Sequence, residues 1–315
     1  MQQMNKKDIQ TALNERKGWQ VWWRLLRPHT LTAAFVPVFV GTAYAGIEES
    51  VDFTLFFAML LASILIQAAT NMFNEYYDYV RGLDTEHSIG IGGAIVRDGI
   101  PPKKVLQLAL SFFAVAILLG VYICIVTNWW IAVIGLISMA FGYLYTGGPY
   151  PIAYTPFGEI VSGLFMGTVI IGISYYIQTL QITGNIIYIS IPVALLIGAI
   201  LLANNIRDLD GDKESGRKTI AILLDHNGAV AFLTTLFLSA YALVFIYTLI
   251  DILPIWSLIV LFSVPKAAKA VKGFKQKGSP LQMLPAMKFT AQTNTIFGFL
   301  LGISLLLQLF IPVQW

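Results

Sequence analysis

Apolar runs long enough to cross a bilayer recur along almost the whole chain, broken only by short polar stretches. A spanning helix needs about 20 mostly apolar residues. Runs of this kind fall near residues 30–47, 53–73, 105–126, 129–146, 157–177, 186–203, 228–250, 252–265 and 293–313. The pattern predicts an all-α, polytopic membrane protein, a bundle of nine transmembrane helices. The eighth run, ILPIWSLIVLFSVP, is the shortest. Pro37, Pro192 and Pro254 each fall inside a predicted span, where proline kinks a helix without forbidding it. Little length remains for a soluble domain, so residues 1–315 read as one integral membrane domain, with 1–29 as a cytoplasmic, interfacial N-terminal segment.

Composition agrees: 57% of residues are hydrophobic and 12% charged, against about 25% charged in a soluble domain. Charge placement then orients the bundle. All 20 Lys and Arg lie in the segments 1–29, 74–104, 147–156, 204–227 and 266–292, whereas the opposite loops carry Glu48, Glu49, Asp52 and Asp251. Positive residues concentrate on the cytoplasmic side, so a multi-pass protein of the cell (plasma) membrane with a cytoplasmic N-terminus is expected. The first 29 residues lack an apolar core before Trp19 and a small-residue cleavage site, and so do not read as a cleavable signal. WQVWWRLLRP reads as an interfacial helix, its Trp rings at headgroup depth and Arg24 and Arg27 toward lipid phosphates. Five lysines in PKAAKAVKGFKQK read as an orientation signal touching membrane lipid. The single cysteine, Cys124, excludes an intrachain disulfide, and there is no Cys/His cluster for zinc. The net charge of +3 is explained by topology and gives no indication of nucleic acid.

Two polar strings break the pattern. NEYYDYVRGLD, residues 74–84, closes the second span, and NNIRDLDGDKESGRKT, residues 204–219, closes the sixth. Both begin with Asn, carry a polar residue at +1 and have Asp at +4; four spans lie between them, so both face one side. Spacing of four residues stacks Asn74 with Asp78, and Asn204 with Asp208 and Asp212, along helix faces. Such columns repel unless a cation neutralises them, and oxygen-only ligands favour a hard ion such as Mg²⁺ shared with substrate phosphates. Arg81, Arg97, Arg207, Arg217 and Lys218 lie beside the columns. The residues therefore describe a membrane-boundary site for a lipid-tailed diphosphate. A lone acidic cluster would be a solvated loop; the repetition argues otherwise. A transporter is the competing class, but transporters place ionisable groups near the midplane, and the centres of these spans hold no Asp, Glu, Lys or Arg.

These strings resemble the aspartate-rich motifs of the UbiA superfamily of intramembrane aromatic prenyltransferases, of the form N-D-x-x-D-x-x-x-D on a nine-helix fold. The departures are Glu75 and Asn205 at +1, and Gly82 with Asp84 at the end of the first motif. Together with RPHTLTAAFVPVFVGTA, IGGAIVRDGI and YTGGPYPIAYTPFGE they are similar to the branch that prenylates 1,4-dihydroxy-2-naphthoate. The resemblance implies transfer of a polyprenyl group from an allylic polyprenyl diphosphate to 1,4-dihydroxy-2-naphthoate, with loss of diphosphate and CO₂, in menaquinone biosynthesis. 4-Hydroxybenzoate is the alternative acceptor.

Asn74, Glu75, Asp78, Asn204, Asp208 and Asp212 are the expected metal and diphosphate ligands. Asp84, which matches the displaced aspartate of that branch, and Asp210 come second. Arg81 and Lys218 are the leading diphosphate contacts, with Arg207 and Arg27 behind them. His29, His87 and His226 are scattered, and only His87 lies in a motif loop. Tyr76, Tyr77, Tyr143, Tyr145 and Tyr150 read as an interfacial belt or as walls of a ring pocket. Glu159, opening the fifth span, reads equally as a helix N-terminal charge or as a functional group. The loop after span four has no basic residue, which leaves recognition of the aromatic acceptor unassigned.

Overall fold

A computed structural model describes residues 18–84 and 93–313, the side chain of His29 excepted. It is helical throughout, with no strand among the described residues. The elements are α1 (Trp19–Leu25), α2 (Pro28–Glu48), α3 (Phe53–Val80), α4 (Pro102–Val126), α5 (Trp130–Thr146), α6 (Gly158–Thr179), α7 (Gly184–Glu214), α8 (Ile220–Leu249), a 3₁₀ segment (Ile255–Ser263), α9 (Val264–Phe274) and α10 (Pro280–Phe310). Seven of these helices are long and apolar enough to cross a membrane, and α5 is a shorter apolar helix.

Local chemistry accounts for the boundaries. Asp52 caps α3, accepting from the Thr54 and Leu55 amides at 2.7 and 3.1 Å. Ser279 and Gln282 form a capping box at α10 with Pro280 in its first turn. That helix begins at Pro280, thirteen residues before the apolar run expected at 293–313. Residues 252–265 are not an α-helical span. Pro254 precedes the 3₁₀ segment and does not kink a helix, and a 3₁₀ turn rises about 2.0 Å per residue against 1.5 Å. A short apolar run thereby reaches further before passing into the lysine-bearing α9. α8 is kinked at Asp225, whose φ is 55° and ψ 172°, so the predicted start near 228 marks the far side of that kink. Part of α6, Gly163–Val169, is a π-helix.

α1 buries Val21 and Leu25 and leaves Trp19, Trp22 and Trp23 exposed, as an interfacial helix requires. Arg24, however, pairs with Asp98 at 2.6 Å. The spans pack through small residues, as is usual where lipid provides no hydrophobic drive between helices. α2 meets α6 at Gly41, where a Cβ would lie 2.4 Å from the Ile171 carbonyl oxygen. α3 and α7 both run on past their apolar stretches, so that each polar string is helical and extends the bundle at one end.

Gly41→Ala is expected to destabilise the protein by about 1–3 kcal/mol, since backbone cannot yield as a side-chain tip can. Gly172→Ala, with nothing within 4 Å of the new methyl, is the control. Thermal melts in detergent distinguish them: equal melting temperatures would mean that this contact is not tight.

Candidate active site

The two strings meet through one arginine. Helix α7 ends at Glu214 with Ser215 as its C-cap, and Gly216, at φ 76°, turns the chain back over the last helical turn, the Arg217 amide donating to the Asp212 carbonyl at 3.0 Å. The Arg217 side chain is thereby carried between the columns. Its Nη1 donates to Asp212 at 2.9 Å and its Nη2 to Asp78 at 3.2 Å. Asn74 donates to the other Asp78 oxygen at 3.0 Å, which confirms the i, i+4 stacking on α3. Arg207 donates through Nε to Asp208 at 2.8 Å and reaches the Met287 sulfur on α10.

These groups close one end of a cavity of about 560 Å³. Asn74, Asp78, Asp84, Asn204, Asp208, Asp212, Arg27, Arg97, Arg207 and Arg217 line it. From there it continues between α3, α4, α5 and α6, past Gln67, Phe141 and Met139, to Met59, Ile123 and Trp129. Asp78 and Met59 are both on α3, roughly 28 Å apart at 1.5 Å per residue. The cavity thus has a charged mouth and a long apolar shaft.

Four expected residues stand elsewhere. Glu75 is buried behind the cavity wall, and its Oε1 accepts from the Gly93 and Ile95 amides at 2.7 and 3.3 Å. Its Oε2 lies 3.7 Å from Arg27. This carboxylate fastens the loop after α3, so that Arg97 lies over Gly93, where a Cβ would come 2.3 Å from the guanidinium carbon and φ is 103°. Arg81 donates to the Thr146 and Gly148 carbonyls and does not line the cavity. Lys218 is exposed, held by its backbone amide on the Tyr154 carbonyl at 2.9 Å. Asp210 faces outward and pairs with Lys277 at 2.7 Å. His226 bonds the Phe274 carbonyl away from the cavity, and His87 lies outside the described residues. Two further groups stand at the site without a role expected from the sequence. Arg217 takes the place expected of Lys218, for which the preceding glycine was the available signal. Asn205, the odd residue of the second motif, donates to Glu159 at 2.9 Å.

The carboxylates strain against one another. Burial, followed by the charges of Asp78 and Glu75, pushes the Asp84 carboxyl up to about 7 in spite of Arg27 and Arg97. For Arg217, burial opposes the charge, but Asp212 and Asp78 more than offset it and hold the guanidinium above its ordinary value. Among the described residues no three Asp, Glu, His or Cys side chains stand close enough to share one ion, and the guanidinium groups of Arg207 and Arg217 pair with the columns. The oxygen-only donors at the mouth nonetheless suit a hard divalent cation.

The model of the UbiA prenyltransferase family matches residues 34–281. The chain belongs to the UbiA prenyltransferase family. It is 56% identical over 310 residues to the 1,4-dihydroxy-2-naphthoate octaprenyltransferase of Bacillus subtilis (strain 168), covering 98% of this chain and 100% of that one. The Escherichia coli (strain K12) protein of the same name is 28% identical over 298 residues, 91% of this chain and 96% of that one. A UbiA homolog from Archaeoglobus fulgidus bound to DMAPP and Mg²⁺ superimposes with a TM-score of 0.62 at 18% identity, covering 88% of this chain and 97% of that chain. The apo UbiA homolog from Aeropyrum pernix K1 gives 0.67 at 14% identity, covering 89% and 98%. At such identities these structures establish the fold, and the bundle is a UbiA bundle.

The UbiA mouth should respond to pH. The folded Asp84 pKa of about 7 exceeds the unfolded value of about 4. Its contribution to stability is therefore complete below pH about 4 and is lost as pH rises through about 7. In chelator-treated protein the melting temperature should fall between pH 5 and 8, and Asp84→Asn should make that decline shallower without abolishing it, because other buried carboxylates line the same mouth. A flat wild-type profile would contradict the assignment.

Proposed function

We propose that this protein transfers a polyprenyl group from an allylic polyprenyl diphosphate to 1,4-dihydroxy-2-naphthoate, releasing diphosphate and CO₂ and yielding demethylmenaquinol for menaquinone biosynthesis. The observation that carries the reading is the cavity itself, in which a mouth of paired Asp, Asn and Arg side chains opens into an apolar shaft. Such a shape suits a substrate with a polyanionic head and an isoprenoid tail. The naphthoate acceptor is supported by the B. subtilis relative, which is named for it and matches over its whole length.

Asn74, Asp78 and Asp84 on one side and Asn204, Asp208 and Asp212 on the other would hold Mg²⁺, which when bound supplies positive charge to the departing diphosphate. Arg217, Arg207, Arg97 and Arg27 share the mouth with them and orient the phosphates. Glu75 acts at one remove, holding the loop that brings in Arg97, and Arg81 anchors the residues after α5. The shaft holds the tail in line, so the allylic carbon sits just below the mouth. There the apolar wall excludes water, which would otherwise capture a carbocation. The distribution of Lys and Arg supports a cytoplasmic mouth in the plasma membrane, with the chain acting as a single membrane domain.

Purified protein given Mg²⁺, a polyprenyl diphosphate and dihydroxynaphthoate should form prenylated naphthoquinol. EDTA should abolish the product, and Asp78→Asn or Asp208→Asn should lower kcat by roughly 10²–10³-fold. Equal turnover of 4-hydroxybenzoate would sink the acceptor assignment; metal-independent turnover would sink the Mg²⁺ role.

A further inference from the structure

Glu159 is a buried carboxylate for which the diphosphate chemistry has no use. It is 4% exposed, one oxygen accepts from Asn205, and the other, Oε2, is buried with no hydrogen-bond partner among the described residues. It sits behind the cavity wall, while Asn205 and Tyr145 in front of it both line the cavity. The packing that brings it there is tight. Gly198, Leu201 and Asn205 follow one face of α7; a Cβ at Gly198 would lie 3.1 Å from the Glu159 carbonyl oxygen, and one at Gly158 would lie 3.3 Å from Leu201 and 3.6 Å from the Tyr145 hydroxyl. The Tyr145 hydroxyl thus stands at the first residue of α6, next in the chain to Glu159, and makes no hydrogen bond among the described residues. Among the charges acting on it Glu159 is felt most strongly, ahead of Arg217, Asp212 and Asp78.

An unused carboxylate oxygen, screened from the metal site by an amide and from the substrate by one hydroxyl, is a proton acceptor in search of a donor. We propose that Tyr145 receives the ring-hydroxyl proton of the aromatic acceptor and passes its own to Glu159, with Asn205 holding the carboxylate in place; the inference rests on the prenyl-transfer reading above. As the acceptor O–H bond breaks, its electron pair moves into the ring. The ortho ring carbon bonds to the allylic carbon, the allylic C–O bond breaks, and the diphosphate leaves with that pair. At that carbon, which bears the carboxylate, the bond to the carboxylate then breaks, CO₂ leaves, and the freed pair restores aromaticity while the relayed proton returns to the ring oxygen. The arrangement also accounts for Asn205 where an aspartate would be expected: Asp at 205 would face Glu159 with like charge at hydrogen-bond distance, whereas an amide donates to it.

Two substitutions test this. Glu159→Gln keeps shape and can still accept from Asn205; Tyr145→Phe removes only the hydroxyl. Each should lower kcat for dihydroxynaphthoate by about 10²-fold, with Mg²⁺-dependent binding of a polyprenyl diphosphate and the melting temperature unchanged. In Glu159→Gln the lost rate should recover as pH is raised from 6 to 9, because the acceptor then arrives ionised. The other titratable groups facing this point, Tyr145 itself, Asp78, Asp212 and Arg217, remain in the variant and cannot supply that difference. Glu159→Asp should restore part of the rate. Wild-type kcat in either variant overturns the proposal, as does a loss of diphosphate binding equal to the loss of rate. If Glu159→Gln does not fold, Tyr145→Phe decides alone. Wild-type protein that forms no prenylated naphthoquinol would instead defeat the underlying function.

Discussion

Charge at the end of a membrane bundle must be neutralised where it stands, and the Arg217 bridge between Asp78 and Asp212 is the interaction on which the site depends. The two aspartates belong to helices more than a hundred residues apart in the chain. Each is shielded from water, and Asp212 is 8% exposed. Unpaired, they would push α3 and α7 apart. With the guanidinium between them, the columns face each other across the width of one side chain, at the charged end of the cavity. The stacking of Arg217 over the Tyr154 ring, 4.9 Å from its centroid, extends the same constraint to the segment after α5. Arg81, bonded to Thr146 and Gly148 from the other side, completes a rim in which cations order backbone as well as carboxylates.

The parts of this arrangement legible in the sequence were those governed by periodicity. Apolar runs located the spans, and Asn74 with Asp78 and Asn204 with Asp208 share faces because i and i+4 always do on a helix. The parts that escaped depend on where the chain goes after a helix stops. Residue type alone favours Lys218 no less than its neighbours, and from sequence it ranks ahead of Arg217, whereas Gly216 reverses the backbone and places Arg217 over Asp212. Glu75 sits within the motif, but a step of one residue rotates it about 100° from Asn74, toward amides at 93 and 95 that no local pattern announces. Asn205 makes the same step from Asn204 and meets Glu159 from another helix. The eighth apolar run differs for another reason: composition gives its apolarity but does not distinguish 3₁₀ from α geometry, and Ile255–Ser263 is 3₁₀.

The balance of charge also sets what the mouth can do with a substrate. Under the proposed function, a diphosphate arriving with its cation brings both signs at once, so the carboxylates gain a partner at the moment the arginines are offered one. Arg217 is suited to that exchange because its guanidinium bonds both aspartates through separate nitrogens and can turn toward phosphate oxygens without leaving the mouth. A lysine there would be a single point charge, able to satisfy one column or the other. The bridge ties α3 to α7, and a site whose separation is fixed by its own side chains needs less reorganisation when charge must be stabilised. Stability of the bundle and competence of its mouth then rest on the same side chain, and this is why the glycine that turns Arg217 inward matters as much as the aspartates it joins.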